Sequence, residues 1–197
     1  SDTSEGFEWF YQFIQNNLLP PHARGWVEEG YKARSEGKGL LCEAFAGSTK
    51  TTTLATMYAY QIGLYPDRAN LAIGSTEDAA NDVTAKAADL IANNVMFKVF
   101  FPNVVKDEKA GWSPAGYEVM RADIPYEEWR RQNAARKDPS LLGLAYNSKE
   151  LPGRHPDGML GMDDLDNEEN TTSAREGERL RNILQGTIFS RIVPSET

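Results

Sequence analysis

Lys50 is followed by Thr51, Thr52 and Thr53 and preceded by Ala44-Phe45-Ala46-Gly47-Ser48-Thr49. A lysine with a hydroxyl residue directly behind it, set between a glycine-containing loop and a helix, can hold a nucleoside triphosphate. The loop's backbone N–H groups converge on phosphate, at the positive end of the helix. The lysine ammonium neutralises the β- and γ-phosphates, and the next hydroxyl ligates magnesium. Two letters depart from the usual pattern. Ala44 stands where the first glycine belongs, and Thr49 stands where a glycine precedes the lysine. Gly47 remains for a left-handed turn, and Thr49 must then take a backbone shape usually left to glycine. On its own the stretch fits equally well an ordinary helix start with a surface lysine and threonine caps.

A second candidate lies far downstream, in Gly158-Met159-Leu160-Gly161-Met162-Asp163-Asp164. It is a mostly apolar run that ends in two carboxylates. In nucleotide-hydrolysing α/β proteins an acid at the end of a buried strand holds the magnesium shell, and a second group orients or deprotonates the attacking water. Asp163 suits the first role and Asp164 the second, although glutamate is more usual there. Glu168 and Glu169 compete for the second role if the chain folds back. The plainer reading is that Asp163 caps a turn and that residues 163–170 are a solvated acidic loop. Loop and acidic strand end together, in this order, favour the nucleotide site.

Both motifs need elements to carry them. Gly39-Leu40-Leu41-Cys42-Glu43-Ala44-Phe45 is a short apolar run of the length of a buried strand, leading into the loop. The spacing of Leu54, Met57, Tyr58 and Gln61 predicts a helix from Lys50 that stops near Pro66. Residues 70–75 read as a second strand. Ser75 with Asp78 resembles a capping box for a helix through Asn94, with Val83, Ala87, Leu90 and Ile91 on its apolar side. Strand, loop, helix, strand, helix is the order of an α/β fold with a parallel sheet. Further strands are expected over 116–122 and 140–148, with a polar helix between them, and a last helix over 172–189. Upstream, residues 7–19 and 22–37 read as two helices.

The bulk numbers set outer limits. The 197 residues suit one domain, and 40% hydrophobic with 25% charged residues is ordinary for a globular protein. No apolar run approaches the roughly 18 residues of a membrane span, and the N-terminus lacks a secretory pattern. The lone cysteine, Cys42, has no partner for an internal disulfide, which fits a reducing compartment, and in the expected strand it would be inert. A net charge of −8 argues against a wholly basic nucleic-acid surface, though not against a local basic patch.

Taken together, these pieces resemble the ATPase domain of a large terminase subunit, the motor that packages DNA into the heads of tailed bacteriophages. Glu43-Ala44-Phe45-Ala46-Gly47-Ser48-Thr49-Lys50-Thr51-Thr52 is similar to that family's Walker A variant, in which the glycine before lysine is often replaced. Residues 151–170 resemble its approach to Walker B, and Pro20-Pro21-His22-Ala23-Arg24-Gly25-Trp26 resembles a segment that helps hold adenine. The resemblance implies a P-loop NTPase fold, a mainly parallel β-sheet flanked by helices on both faces. It implies ATP and Mg2+ as cofactors, with residues 44–52 around the phosphates and Thr51 and Asp163 at the metal. Lys50, Asp164, Glu168 and an arginine supplied by a neighbouring subunit are the implied catalytic groups. Arg121 is favoured for that arginine over Arg130, Arg131, Arg136 and Arg154, because a strand end is a rigid mount. Arg154 also reads as a brace for the turn before the acidic strand. Gln12 and Trp26 are candidate base contacts, with core packing as the plainer alternative. Implied partners are double-stranded DNA, the portal, the small terminase subunit and copies of the chain in a ring, pentameric by resemblance, in the host cytoplasm. The family's domain runs on into a coupling segment and a nuclease domain, so the chain reads as a fragment of a longer protein.

One departure bears on activity. The family usually carries arginine where this chain has Ala46, and alanine cannot clamp a transferring phosphoryl group. Either another arginine compensates, or the position is altered and hydrolysis impaired. Two alternatives stand beside the motor: a domain that binds nucleotide or ring neighbours without hydrolysis, and a helicase-like NTPase of the same broad fold.

Overall fold

The computed structural model describes residues 1–165 apart from 43 and 46, together with residues 178, 182 and 186. Two helices open the chain, α1 (Ser4–Gln15) and α2 (Pro21–Ser35). Thr3 caps α1 by accepting from the Gly6 N–H at 3.1 Å, and Pro21 starts α2 at the position where its missing N–H does no harm. The loop then enters α3 (Lys50–Leu64), followed by β1 (Asn70–Gly74), α4 (Glu77–Asn93) and α5 (Val95–Phe100). Short strands come next: β2 (Val104–Lys106), β3 (Trp112–Ser113), β4 (Gly116–Tyr117) and β5 (Val119–Arg121). Helix α6 (Tyr126–Gln132), β6 (Leu141–Ala145), a 3₁₀ turn at Leu151–Gly153 and β7 (Leu160–Asp163) complete the described elements.

The main sheet has the order β3-β4-β6-β1-β7. Strands β6 and β7 flank β1 and run parallel to it, whereas β4 joins β6 antiparallel and β3 joins β4 antiparallel. The architecture is α/β, with a mixed sheet whose core strands are parallel and which is flanked by helices. Strands β2 and β5 form a separate antiparallel pair. Register places Gly74 beside both Ala145 and Asp163, so the three parallel strands end level.

Among the described residues the helices pack on one face of the sheet, not on both as expected. Ala72 and Leu141 join a core built mostly from α1 to α5, in which Phe7, Phe10, Tyr58 and Phe97 are fully buried. Small residues on that face let helices approach. A Cβ at Gly161 would lie 2.6 Å from the Tyr58 hydroxyl, and one at Gly143 would lie 3.2 Å from the Ala80 carbonyl oxygen. On the other face Leu71, Ile73, Leu144, Tyr146 and Leu151 form a smaller cluster. Among the described residues no helix is long and apolar enough to cross a membrane.

Several expectations need correction. The described residues of the 39–45 run lie in neither sheet; Leu41 is 87% exposed, and Cys42 is exposed too. A short apolar run shows that a strand is affordable, not that a sheet edge receives it. Neighbouring atoms push the Cys42 thiol up all the same. The single strand expected over 116–122 breaks at Glu118 and feeds two different sheets, β4 and β5. Thr76, not Ser75, caps α4, accepting from the Ala79 N–H at 3.1 Å. Helix α3 is buried nearly all round rather than on one stripe, because it packs between α1, α4 and the sheet. The polar helix closes at Gln132, earlier than its pattern suggested. The helix expected over 172–189 falls largely outside the described residues.

Candidate functional site

The loop meets α3 through two residues in left-handed backbone, Gly47 (φ 81°) and Thr49 (φ 63°). For Gly47 this is free. For a β-branched residue such as Thr49 it costs about 1–2 kcal/mol, since its Cβ crowds the carbonyl. The first turn of α3 holds no acidic side chain, and Thr49 makes no side-chain cap bond. Helices α1, α4 and α5 are all capped, by Thr3, Thr76 and Asn94. Among the described residues no side chain caps α3, and its start is the positive end of the helix.

Strand β7 delivers the two carboxylates to that helix start. Side chains of successive strand residues point to opposite faces, so Asp163 and Asp164 should diverge. Asp164 instead turns left-handed (φ 47°), which breaks the alternation. Thr51 donates its hydroxyl proton to Asp163 Oδ2 at 2.6 Å, and Lys50 Nζ is paired with Asp164 Oδ1. Asp163 is buried, whereas the Asp164 side chain is 55% exposed. Residues of the two sequence motifs, separated by more than half the chain, thus meet side chain to side chain.

Tyr58 fixes this geometry from behind. Its hydroxyl donates to the Leu71 carbonyl at 2.7 Å and lies 3.3 Å from that of Gly161, joining α3 to β1 and β7 at once. Burial pushes the Tyr58 phenol far up, so it remains a neutral donor. The loop itself is held from α2 and α1. His22 lies with Nε2 2.9 Å from the Ser48 carbonyl and packs edge-on against Trp26 and tilted against Phe45. From α1, the Tyr11 phenol is pushed up by burial, with the hydroxyls of Thr53 and Thr49 acting the other way. Ser48 is buried, and its hydroxyl has no hydrogen-bond partner among the described residues.

The remaining candidates are placed as follows. Ala44 is half-buried, Phe45 is exposed, and Thr52 lends its carbonyl to Thr56 at 2.7 Å. Trp26 and Gln12 are both half-buried; Trp26 packs on the core and against the His22 ring. Ala46 and Glu168 lie outside the described residues. Arg121 is on the separate β2–β5 sheet and grips Asp123, with Nε 3.0 Å from Oδ1. Arg130 and Arg136 both bind Glu118, at 2.7 and 3.0 Å. Arg154 pairs with Asp138 at 3.0 Å, and Asp138 also accepts from the His155 N–H, so this arginine braces the turn before β7. Tyr11 and His22 are the residues at the loop that sequence reasoning did not assign there. Their signal was present only in part: both lie within stretches read as core or base-holding helices.

Magnesium prefers oxygen ligands, keeps several waters, and often takes only one or two protein groups beside substrate phosphates. A hydroxyl and a carboxylate already 2.6 Å apart fit that donor set. Compared with models of known protein families and with curated protein sequences, the chain matches none.

Proposed function

We propose that the chain binds ATP with magnesium at the start of α3 and hydrolyses its γ-phosphate, as the motor domain of a phage DNA-packaging terminase. The observation that carries the nucleotide reading is the bond between Thr51 and Asp163, with Lys50 and Asp164 beside it. A position at the carboxyl ends of parallel strands is where open α/β sheets bind ligands, which supports the same reading and the P-loop class. The narrower assignment to a packaging motor, with DNA, portal, small subunit and a ring of copies as partners, is supported by the sequence motifs around positions 44–52 and 151–170.

In this reading the first N–H groups of α3 and the Lys50 ammonium hold the β- and γ-phosphates. Thr51 and Asp163 would hold the magnesium, which neutralises phosphate charge when bound. Asp164 orients the attacking water and accepts its proton once Lys50 has moved to phosphate. Transferring this task from glutamate to a shorter aspartate, and the absence of a guanidinium at position 46, favour slow turnover. The second reading, binding without hydrolysis, draws on those same two residues.

The test is ATP turnover by the chain beside its Ala46→Arg and Lys50→Ala variants. Ala46→Arg is expected to raise turnover by about 10²-fold or more, the scale of a stabilising arginine. Lys50→Ala is expected to abolish it. Equal rates for the chain and Ala46→Arg remove position 46 from the account, and unchanged binding in Lys50→Ala removes the site.

A further inference from the structure

We propose that Asp164 is a latch: in the nucleotide-free protein it holds Lys50 in the place of phosphate, so that nucleotide must break this pair to bind. The inference rests on the nucleotide reading of the site and adds a regulatory step to it. Three observations carry it. Lys50 has Asp164 as its ion-pair partner. Asp164 reaches it only through a left-handed backbone at the end of β7, a conformation that aspartate tolerates better than most residues but does not prefer. Both side chains retain solvent access, at 29% and 55%, so the pair can exchange partners without unpacking the core.

The charge count points the same way. Asp163 and Asp164 face a single Lys50 at the helix start, so the three groups sum to one negative charge when all are ionised. A free triphosphate meets two carboxylates there beside one lysine and the positive helix end, and must also displace a carboxylate from its lysine. Magnesium-bound triphosphate carries less negative charge and brings a cation for Asp163. The latch therefore discriminates against nucleotide without its metal, and it does so at the binding step, before any chemistry.

The experiment is a titration of the full chain with a fluorescent ribose-labelled ATP analogue, once with EDTA and once with excess magnesium. It compares the wild type with Asp164→Asn, Asp164→Gly and Lys50→Ala. Asp164→Asn keeps the side-chain shape, and Asp164→Gly also relieves the backbone, so a folding defect in one leaves the other readable by circular dichroism. In EDTA both Asp164 variants are expected to bind about fivefold more tightly than wild type, the upper range for an exposed ion pair. In magnesium the gain is expected to shrink. If the wild type binds and both Asp164 variants bind equally or more weakly in EDTA, the latch is overturned while the nucleotide site stands. If the wild type fails to bind under both conditions, or Lys50→Ala binds as well as wild type, the site reading fails and the latch with it.

Discussion

At the scale of single residues, four side chains meet at one junction. Lys50 and Thr51 open α3, and Asp163 and Asp164 close β7. Removing the buried carboxylate that faces Thr51 should leave folding intact and damage metal use. Asp163→Asn is expected to lower magnesium-supported ATP turnover by about 10²-fold, comparable to losing one preorganised electrostatic group; a magnesium titration of the rate reads this directly. Thr49 offers an independent check on the loop. Its left-handed backbone strains a β-branched residue, so Thr49→Gly is expected to stabilise the protein by about 1 kcal/mol in urea unfolding. A loss of stability instead would mean that the hydroxyl beside Tyr11 outweighs the strain. The need for a left-handed Thr49 was legible in the sequence, because lysine and its hydroxyl neighbour fix where the turn must come. The roles of Tyr11 and His22 were not, since a side chain reaching across from another helix leaves no periodic trace.

At the scale of elements, α3 and β7 must be held in contact for the site to exist. Gly161 permits the approach, and Tyr58 secures it. Gly161→Val is expected to force α3 off the strand, lowering stability by about 1–3 kcal/mol and weakening nucleotide binding together. Tyr58→Phe removes a buried donor and leaves the Leu71 carbonyl short of a partner, at about 1 kcal/mol. Both effects are readable by urea unfolding, with binding measured in parallel. The parallel strands and the helices between them were legible because their apolar runs and spacing are long enough to define a period. The 39–45 segment was not. Its letters say that burial would be favourable, but strand formation needs a neighbouring edge, and that information is not local. The break at Glu118 has a similar cause: Glu118 takes both Arg130 and Arg136, and Val119 bonds to Ser140, so the chain leaves one sheet for the other.

At the scale of the whole molecule, the chain's first residues help clamp the helical layer. Asp2 accepts from Tyr31 and Arg34 of α2 and from Gln61 of α3, and Tyr65 just beyond α3 adds a fourth bond at 2.9 Å. Burial works against its charge, yet these donors outweigh it and hold the carboxyl below its usual value. A depressed folded-state value stabilises the protein above the unfolded value, near pH ~4, and the contribution is lost as pH falls through the folded one. Asp2→Ala is therefore expected to cost about 2 kcal/mol at neutral pH, with the gap to wild type closing below about pH 4. Urea unfolding across that range checks the sign. Legibility was weakest at this scale: length suited one domain and the order of elements an α/β fold, but neither announces that one acidic residue near the start ties two helices together.

The central claim is that the loop before α3 and the acids ending β7 form one site for magnesium-bound ATP. Isothermal titration of magnesium-ATP into the wild-type chain and into Lys50→Ala tests it most directly. Saturable one-to-one binding is expected in the wild type and its loss in the variant. No heat of binding in the wild type, or the same affinity in both proteins, would contradict it.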